Sequence, residues 1–534
     1  MKHHTPISAA IFLCLLSLLV FSNCVHAQVV RLWDYSYNPS NNYEASGNCI
    51  VALPSGTTVT GGIFRGVSNF VTRNTLLLTD ASGALLEMDS LTQGSGFKKV
   101  IYDGHSDIYA CATLYDDSLP VSKIVVARFD TSFTIRRFFL HDTTNTSTGY
   151  DVLDMATLSN GNIVIASRWD EFPLVCLSLL CMDSTGNVLW ERVDSVFQFS
   201  YDVKLLSDPA GGLFVAGSGK DTSTSEDFIF VSHFTDFGTR DWTYRYYSPA
   251  QFYADMTDMI QDLNGYVYVS GNVMDSIGQV GVLLKFDSFG NLIRNQQVLP
   301  LAYSRIISDS QGDVYGLTVP LNGLDVFTID KRDSSGTLID SSAFQLSGYF
   351  ASELGDVKLL DNGIIVVTGG LFVFSFPKSD MFLAAMDTSL NLIGYDIFDS
   401  LNQLGENGKA IATGVDGSVY ACGRFNFENQ FETCNIGVTR YLVEEIINSI
   451  ATPLGMRCEV YPNPSKGIIT VKWNVEQYGK AKLKIFNNHG VEVFSDHVLD
   501  TGLKEFRELN LSPGFYFVSI ETSMGRTVKK FCVL

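Results

Sequence analysis

The decisive stretch is Asn160-Gly161-Asn162-Ile163-Val164-Ile165-Ala166, a tight-turn sequence followed by an uninterrupted apolar run. A second pattern lies close to it, Asp183-Ser184-Thr185-Gly186-Asn187, in which an aspartate ends one apolar segment and a glycine turn opens the next. Both patterns favour turns because glycine accepts a positive φ and the aspartate bonds to the backbone that follows it. The two turns together predict four consecutive strands in one repeat unit.

Both patterns recur along residues 29–442. The first appears at Ser55-Gly56, Asn160-Gly161, Ala210-Gly211-Gly212, Asn264-Gly265, Gln311-Gly312, Asn362-Gly363 and Asp416-Gly417, with a weaker copy at 104–107. The second is marked by Asp80, Asp130, Asp183, Asp236, Asp287, Asp333 and Asp387, which lie 46 to 54 residues apart. A four-stranded repeat of this length is typical of β-propeller blades. We therefore predict an all-β propeller for residues 28–442.

The apolar runs are continuous, as in residues 163–166 and 364–367. Such runs indicate strands buried on both faces, as in a blade packed between two neighbours. The first turn has eight copies and the second has seven, and residues 30–35 resemble a strand that follows the second turn. We therefore predict that this N-terminal strand completes the last blade and covers its edge. The pattern favours eight blades, with seven as the alternative if the weak copy near Gly104 is an insertion.

The repeats resemble the SBBP-type propeller repeats of secreted bacterial proteins. Residues 183–190 also resemble quinoprotein repeats, more loosely. These resemblances imply a fold and do not imply an activity.

The chain ends in a segment of different character, residues 458–534. Prolines around Asn463 favour an extended entry, and glycines separate short runs of alternating apolar residues, which is typical of antiparallel strands. The segment resembles the type A C-terminal sorting domain of the type IX secretion system of Bacteroidota. The residues that carry the resemblance are Tyr461, Pro462, Asn463, Pro464, Gly467, Gly490, Leu511, Ser512, Gly514, Tyr516, Lys529 and Lys530. The resemblance implies a small β-sandwich that directs export by the type IX machinery and is then usually removed, with the cargo attached to the surface or released.

The first 27 residues have the pattern of a secretory signal peptide. Lys2 precedes an apolar stretch at 11–21, and small residues before Gln28 predict cleavage between Ala27 and Gln28. Cys24 leaves a lipoprotein as the alternative. No later stretch reaches the roughly 18 apolar residues that a membrane-spanning helix needs, so we expect no transmembrane segment in the mature chain. The predicted destination is the outer-membrane surface or the medium, reached through the periplasm.

Charge is distributed unevenly along the chain. The net charge is −20, yet residues 458–534 carry 10 Lys and Arg against 8 Asp and Glu. The acidity therefore belongs to the predicted propeller. It argues against nucleic acid or anionic lipid as a partner, because both bind basic surfaces. Residues 443–457 are predicted to be a linker, with one short helix candidate at 443–450.

Cysteines and other reactive side chains give no constellation. Eight cysteines follow the signal peptide, and Cys422 with Cys434 and Cys458 with Cys532 are candidate disulfides, with free buried thiols as the alternative. No CxxC, GxSxG or complete phosphate-loop sequence occurs, and the recurrent aspartates are interpreted as turn caps. We therefore predict no catalytic residue, no cofactor and no metal site, while a triad assembled from distant residues stays open.

The connections on the other side of the predicted propeller vary in length and composition, as at 217–227, 369–380 and 423–434. Two of them are rich in phenylalanine: Phe372, Phe374 and Phe376, then Phe425, Phe427 and Phe431. Because function collects on variable loops held by a rigid scaffold, we predict that this side binds an extracellular protein or glycan through these side chains. The alternative is that they cover blade edges. The alternative function is a surface polysaccharide hydrolase or lyase, which an unpartnered acidic pair at the channel would favour.

Overall fold

The structure is a computed structural model. It describes residues 28–533 apart from the segments 39–42, 67–70, 91–92, 116–121, 133, 142–149, 172–173, 195–197, 250–252, 277, 299–302, 320–324, 347–348, 374–375, 399–404, 428–433, 445–456, 462–464, 466–467, 475–480, 488–491, 499–500, 507–510, 512–513 and 523–524. The regular elements of the described residues are strands. Within them, no helix is long and apolar enough to cross a membrane.

The chain divides into two units, one ending at Glu444 and the other beginning at Glu445. The larger unit consists of four-stranded antiparallel sheets that follow one another along the chain, and eight of them lie in its described part. Sheets I and II contain β2 (Tyr43–Ala52), β3 (Thr58–Gly66), β4 (Thr72–Thr79) and β5 (Leu85–Ser90), then β6 (Gly94–Tyr102), β7 (Asp107–Tyr115), β8 (Ser122–Asp130) and β9 (Ile135–His141). Sheets III and IV contain β10 (Tyr150–Thr157), β11 (Ile163–Glu171), β12 (Leu174–Met182) and β13 (Val188–Asp194), then β14 (Gln198–Ser207), β15 (Leu213–Lys220), β16 (Asp227–Phe234) and β17 (Arg240–Tyr247).

The remaining sheets of this unit repeat the arrangement. Sheets V and VI contain β18 (Ala254–Gln261), β19 (Val267–Asp275), β20 (Gly278–Phe286) and β21 (Leu292–Val298), then β22 (Arg305–Ser308), β23 (Val314–Thr318), β24 (Phe327–Arg332) and β25 (Leu338–Phe344). Sheets VII and VIII contain β26 (Tyr349–Leu359), β27 (Ile365–Val373), β28 (Phe376–Met386) and β29 (Leu392–Phe398), then β30 (Gly405–Thr413), β31 (Ser418–Phe427), β32 (Asn435–Glu444) and, from the other end of the chain, β1 (Gln28–Tyr37).

The N-terminal strand completes sheet VIII, as predicted. β1 pairs antiparallel with β32, with Gln28 opposite Glu444 and Tyr37 opposite Ile436. Because this pairing extends to Glu444, the predicted end of the propeller at residue 442 is two residues short. The predicted helix is wrong at Val443 and Glu444, which lie in β32, and its remaining residues lie outside the described part.

Neighbouring sheets pack face to face in a closed sequence. Each sheet contacts the next through its first strand, and β2 of sheet I contacts β30, β31 and β32 of sheet VIII. The apolar clusters accordingly lie between sheets, as between III and IV around Val215 and Phe230, or between VII and VIII around Ile364 and Val419. The predicted propeller is confirmed, and its continuous apolar runs are buried on both faces. The weak repeat copy near Gly104 is the turn between β6 and β7 and is not an insertion.

A ring of alternating charge joins the first strands, which contact one another around the inside of the propeller. The register of each first strand with its second strand defines one equivalent position in every sheet. In sheets I to VIII this position is occupied by Cys49, Lys99, Asp154, Lys204, Asp258, Arg305, Asp356 and Ala410. Lys99 Nζ lies 3.1 Å from Asp154, and Lys204 Nζ lies 3.1 Å from Asp258. Arg305 donates to the carbonyl of Gly355 at 2.7 and 2.9 Å, beside Asp356.

Each carboxylate of this ring also binds the sheet that follows it. Asp154 accepts a hydrogen bond from the backbone N–H of Leu205 at 2.9 Å. The equivalent bonds run from Ile306 to Asp258 and from Ile411 to Asp356, both at 3.0 Å. Asp154 and Asp258 therefore each link three successive sheets, since each bonds a lysine of the preceding sheet and a buried backbone donor of the following one.

The turn aspartates cap their own turns, as predicted. Asp183 accepts bonds from the N–H groups of Thr185 and Asn187 at 2.8 and 2.9 Å, and these bonds together with the Thr185 hydroxyl lower the pKa of its carboxyl to about 2. In sheet IV the prediction was one residue off. The turn there begins at Thr235, whose hydroxyl takes the place of the carboxylate, while Asp236 accepts a bond from Gly212.

The smaller unit is a β-sandwich, as predicted. One sheet contains β33 (Arg457–Tyr461), β34 (Ile469–Asn474) and β37 (Thr501–Phe506). The other contains β36 (Glu492–Val498), β35 (Ala481–Asn487), β38 (Gly514–Thr522) and β39 (Gly525–Val533). Alternate residues of the two sheets, such as Val471, Ile485 and Val518, form the core between them.

The predicted disulfide between Cys422 and Cys434 is wrong. Both are free and buried, and Cys422 lies opposite Val438 in the ladder. Cys434 is four residues away from that position, or roughly 13 Å along a strand, which is beyond the reach of a disulfide. Its sulfur instead contacts the Ala45 backbone and accepts a hydrogen bond from Arg424 at 3.1 Å. Cys458 and Cys532 lie in β33 and β39, and their side chains are outside the described part.

We expect the propeller thiols to be unreactive in the folded protein. Six cysteines in its described part are buried and form no disulfide, and burial raises the pKa of Cys49 and of Cys181 to about 12. Because the thiolate is the reactive species, an aromatic disulfide reagent at pH 8 should leave these thiols unmodified until denaturant is added. Recovery of a Cys422–Cys434 linked peptide from unreduced protein would contradict this.

Candidate functional site

The two ends of the sheets differ in their construction. The turns between first and second strands and between third and fourth strands lie at one end, which we call the short-turn face. The connections from second to third strands, and from each sheet to the next, lie at the opposite end, which we call the variable-loop face. This follows from the antiparallel order of every sheet.

The short-turn face is occupied by bonds between sheets. In six of the described turns between a third and a fourth strand, the carbonyl of the second turn residue accepts a bond from the preceding sheet. These bonds, of 2.5–3.2 Å, run from the side chains of Trp33 and Arg440 to Ala81, from Arg128 to Ser184, from Trp190 to Asp236, from Trp242 to Ser288, from Lys285 to Ser334, and from Lys331 to Thr388. These side chains hold neighbouring sheets together, which gives the short-turn face a structural role.

A few apolar side chains are exposed at the tips of the short turns. Phe237, Leu263, Phe289 and Val415 are 78–80% exposed. They belong to sheets IV, V and VIII and stand singly on their turns. Single exposed apolar residues are normal on a protein surface, so they assign no function.

The carboxylates of the inner strands have structural partners. Asp154, Asp258 and Asp356 take part in the alternating ring. Glu353 accepts a hydrogen bond from Asn407 at 2.8 Å and pairs with Lys409. None of these four has the unpartnered geometry that would favour the polysaccharide hydrolase or lyase. Among the residues that the structure describes, no group of three His, Cys, Asp or Glu side chains could hold a metal ion.

The predicted phenylalanine anchors have different outcomes. Phe425 is fully buried, stacked on Phe398 with ring centroids 4.6 Å apart, so its prediction as a binding anchor is wrong. Phe372 lies at the end of β27 and is 37% exposed. Phe376 and Phe427 lie in β28 and β31 with side chains outside the description, and Phe374 and Phe431 lie wholly outside it. The structure therefore does not bring the six residues together as one surface.

The predicted sorting residues lie in the β-sandwich where they are described. Tyr461 ends β33, Gly514 begins β38, and Leu511 packs against the core. Tyr516 is buried and stacks on Phe531 at 5.6 Å, whereas Lys529 of β39 is exposed. Lys530 pairs with Phe517 in the ladder. Pro462, Asn463, Pro464, Gly467, Gly490 and Ser512 lie outside the described part, as does Ala27, while Gln28 is the first residue of β1.

One predicted variable loop is described in full, and it carries the best-defined polar surface of the variable-loop face. It connects β15 to β16. Asp221 caps the loop by accepting bonds from the Ser223 N–H and hydroxyl, which lower the pKa of its carboxyl. Its other oxygen accepts a bond from the Tyr247 hydroxyl at 3.4 Å. The Tyr247 ring packs against Phe228, its partner in the ladder, at 5.3 Å and is 37% exposed.

A second tyrosine lies at the same end of the propeller, at the start of the next sheet. The N–H of Tyr253, which precedes β18, donates to the Asp227 carboxylate at 2.6 Å, and its carbonyl accepts from Met274 at 3.1 Å. Asp227 is the neighbour of Phe228 and lies 3.4 Å from Lys220. The Tyr253 hydroxyl accepts a bond from Gln279 at 3.4 Å, and the side chain is 40% exposed. We call Asp221, Tyr247, Tyr253 and Gln279 the tyrosine cluster; Tyr247 lies with Phe228 on the side of sheet IV that faces sheet III, and Tyr253 lies with Asp227 on the side that faces sheet V.

Backbone strain marks this cluster. Three residues other than glycine have a positive φ in the described part: Ser225 at 62°, Tyr253 at 60° and Leu390 at 61°. Leu390 is buried in the core between sheets VI and VII, so packing offsets its strain. Ser225 and Tyr253 both belong to the tyrosine cluster and its loop, and both are exposed. The Ser225 conformation closes its own turn, because its N–H bonds the Asp221 carbonyl at 2.8 Å, which leaves Tyr253 as the exposed strained residue that local turn geometry does not explain.

The sequence prediction missed the tyrosine cluster. The run Tyr244-Arg245-Tyr246-Tyr247 was a usable signal, because aromatic residues are dense there just before a connection. The positive φ of Tyr253 had no signal, since glycine usually marks such positions.

The comparison with known families identifies one part of the chain. Residues 459–534 match the family described as "Secretion system C-terminal sorting domain". No curated protein sequence matches the chain significantly. One similar solved structure is that of the polysaccharide lyase Uly1, with 8% sequence identity and a TM-score of 0.43. The similarity covers 77% of this chain and 92% of the Uly1 chain. Another is the β-propeller domain of the Trilobed protease from Pyrococcus furiosus, at 9% identity and a TM-score of 0.39, with 68% and 96% covered. A protein of unknown function from Dyadobacter fermentans matches at 11% identity and a TM-score of 0.38, with 78% and 99% covered.

Proposed function

We propose that this chain is an exported propeller that binds an extracellular protein or glycan through its variable-loop face. The observation that carries the proposal is the sorting domain at 459–534, which implies the type IX secretion machinery as a partner and export as the fate of the propeller. The short-turn face supports the choice of binding side, because its carbonyls already bond neighbouring sheets.

The proposed route begins with removal of the signal peptide between Ala27 and Gln28. Cleavage there leaves the whole of β1, so the mature chain keeps the strand that completes sheet VIII. The propeller then folds in the periplasm, and the sorting domain directs it across the outer membrane to the surface or the medium. This route, its SBBP-type repeats and a Bacteroidota source belong to the proposal.

Export is tested by removing residues 459–534 in a bacterium that carries the type IX machinery. We expect the shortened protein to accumulate in the periplasm at an undiminished total level, because the propeller has its own core and loses only the export signal. Cell fractionation with an antibody to the propeller measures this. The matched control is the full chain carrying Tyr395→Ala, which should reach the exterior normally.

A converse experiment strengthens the test. Residues 445–534 fused to a periplasmic reporter should carry the reporter outside the cell. Normal arrival of the shortened protein outside, or retention of the reporter inside, would contradict the role of this domain.

A further inference from the structure

The short-turn end of sheet IV holds a buried histidine between two carboxylates. His233 lies in β16, opposite Trp242, and its side chain is 10% exposed. Its Nδ1 lies 2.7 Å from Asp241 of β17, and its Nε2 lies 3.4 Å from Asp208, which begins the turn between β14 and β15. The ring packs against Phe214 at 4.8 Å and stacks on Trp242 at 6.2 Å between ring centroids. Both ring nitrogens therefore face a carboxylate.

The position of His233 recurs in every sheet, at the third-strand residue that precedes the bulge in the pairing with the fourth strand. In sheets I to VIII it is occupied by Leu78, Arg128, Cys181, His233, Lys285, Lys331, Ala385 and Arg440. Arg128, Lys331 and Arg440 each pair with a carboxylate beside the first turn of their own sheet, at 2.6–3.2 Å. Histidine is the one cationic side chain in this set whose charge ordinarily changes between pH 5 and 8.

The neighbours of His233 depart from the repeat together with it. In sheets V and VI the aspartate equivalent to Asp208 accepts a bond from a tyrosine hydroxyl, at 3.3 and 2.9 Å. The equivalent ring in sheet IV is Phe214, which has no hydroxyl, and His233 takes the place of that donor. Gly212 also faces the ring, where a Cβ would lie 2.9 Å from Nε2.

The second carboxylate is also particular to sheet IV. Asp241 is the bulge residue of its fourth strand. In six other sheets the bulge residue is aliphatic: Leu32, Leu86, Leu189, Ile293, Ile339 and Ile393. Sheet IV therefore differs from the repeat at several positions that meet at one imidazole.

The protonation state of His233 decides whether both carboxylates receive a hydrogen bond. The imidazolium has two N–H groups and can donate to Asp208 and Asp241 at once. The neutral ring has one N–H, so one of the two carboxylates then faces a nitrogen lone pair. Such a loss costs free energy, because Asp208 is 7% exposed and water does not replace the missing donor freely.

The other charged groups at this end of the sheets have partners of their own. Asp236 accepts a bond from the Gly212 N–H at 3.0 Å, and Arg240 pairs with Asp194 of sheet III. On the side of sheet V, the aspartates of the two short turns bond N–H groups of those turns; they are Asp262 and Asp287. Among the described residues, the ion pairs of His233 are those with the two carboxylates named above.

We propose that His233 makes the short-turn end of sheet IV sensitive to pH. In the protonated state it bonds both β17 and the first turn of the sheet; in the neutral state it loses one of these bonds, and this end opens more often. The effect reaches sheet V, because Trp242 of β17 bonds the Ser288 carbonyl there at 3.2 Å. This property is independent of the proposed binding function.

The sign of the pH dependence follows from the bonds gained on protonation. They make the folded state bind more protons than the unfolded state near neutral pH, so the free energy of unfolding falls as the pH rises. Urea unfolding of the full mature protein at pH 6, 7 and 8 measures this. Relative to His233→Lys, which places the lysine of sheets V and VI here, the unfolding equilibrium constant of the wild-type protein should rise by about tenfold from pH 6 to 8.

Two further variants keep this test decisive. Asp241→Asn changes a side chain that is 43% exposed, and its amide oxygen accepts a bond from the neutral ring, so it should reduce the pH dependence without preventing folding. His105→Gln removes an exposed histidine from the turn between β6 and β7 and should keep the wild-type pH dependence. The same pH dependence in the wild-type protein, His233→Lys and Asp241→Asn would overturn the proposal.

Hydrogen exchange locates the change. At pH 8 the amides of residues 240–247 should exchange several-fold faster in the wild-type protein than in His233→Lys, and at pH 6 the two proteins should agree. Peptides from β5 and β29 should show no difference at either pH. A difference spread evenly over all the sheets would show that the substitution acts on the whole propeller, and a local role for His233 would be wrong.

Discussion

Replacement of Asp154 by alanine should lower the free energy of unfolding of the propeller by about 3 kcal/mol. The Asp154 side chain is only 7% exposed, and its two oxygens bond Lys99 and the backbone N–H of Leu205. The substitution leaves a buried N–H without an acceptor, at a cost of about 1–3 kcal/mol. It also removes the ion pair, although Lys99 is 41% exposed and can turn to solvent, which keeps this part of the loss small. Urea unfolding followed by tryptophan fluorescence measures the change.

The other substitutions at this pair identify the source of the loss. Asp154→Asn keeps an acceptor for Leu205 and should cost less than the alanine variant. The exchange Lys99→Asp with Asp154→Lys restores the opposite charges but offers Leu205 no acceptor, so it should recover only part of the stability. Asp340→Ala is the control, because this exposed aspartate of β25 accepts its bond from the N–H of the next residue, Ser341, and should change stability by less than about 0.5 kcal/mol. Equal losses for Asp154→Ala and Asp340→Ala would show that the charge ring does not join the sheets.

Much of the propeller could be predicted because its signals are local. The carboxylate of Asp183 bonds Thr185 and Asn187, and Gly186 supplies the positive φ, so the turn is encoded within five residues. The apolar runs between such turns then specify strands buried on both faces. The completion of sheet VIII by β1 could also be predicted from the count of strands. The N-terminal strand precedes the first repeat unit, and the last unit lacks its fourth strand.

The charge ring could not be predicted from any single repeat. Lys99 and Asp154 are 55 residues apart, and each is an ordinary charged residue in its own strand. The alternation appears only when the first strands are placed in register, which the structure does through the second strands. Cys49 and Ala410 break the alternation in sheets I and VIII, where the two ends of the propeller meet.

The candidate site was predicted only by region. Phe425 and Phe372 look alike in the sequence, yet Phe425 stacks on Phe398 of the neighbouring sheet while Phe372 remains exposed. Which face of a strand end meets a neighbour depends on contacts between repeats, and these have no local signature. The connection at 217–227 is among the predicted variable connections. Tyr253 is not among the predicted residues, because its residue type conceals its positive φ.

Substitution of Gly238 by alanine should destabilise the propeller by about 3 kcal/mol, at the turn where sheets III and IV meet. Gly238 has a φ of +72°, and a Cβ there would lie 2.5 Å from the Trp190 ring, whose indole bonds the Asp236 carbonyl at 2.9 Å. The left-handed conformation costs alanine about 1–2 kcal/mol, and displacement of the packed indole adds about 1–3 kcal/mol.

The matched control for this substitution is Gly161→Ala. Gly161 has a φ of +81° and no atom within 4 Å of the added Cβ, so only the conformational cost of about 1–2 kcal/mol applies. In a Trp190→Ala background the two glycine substitutions should cost the same, because the packing part of the loss disappears. Equal losses of stability for the two glycine substitutions in the presence of Trp190 would instead mean that the indole moves away from the added Cβ without a free-energy cost. The bonds between turn carbonyls and the preceding sheet would then contribute little to stability, and the short-turn face would no longer be occupied by structural contacts.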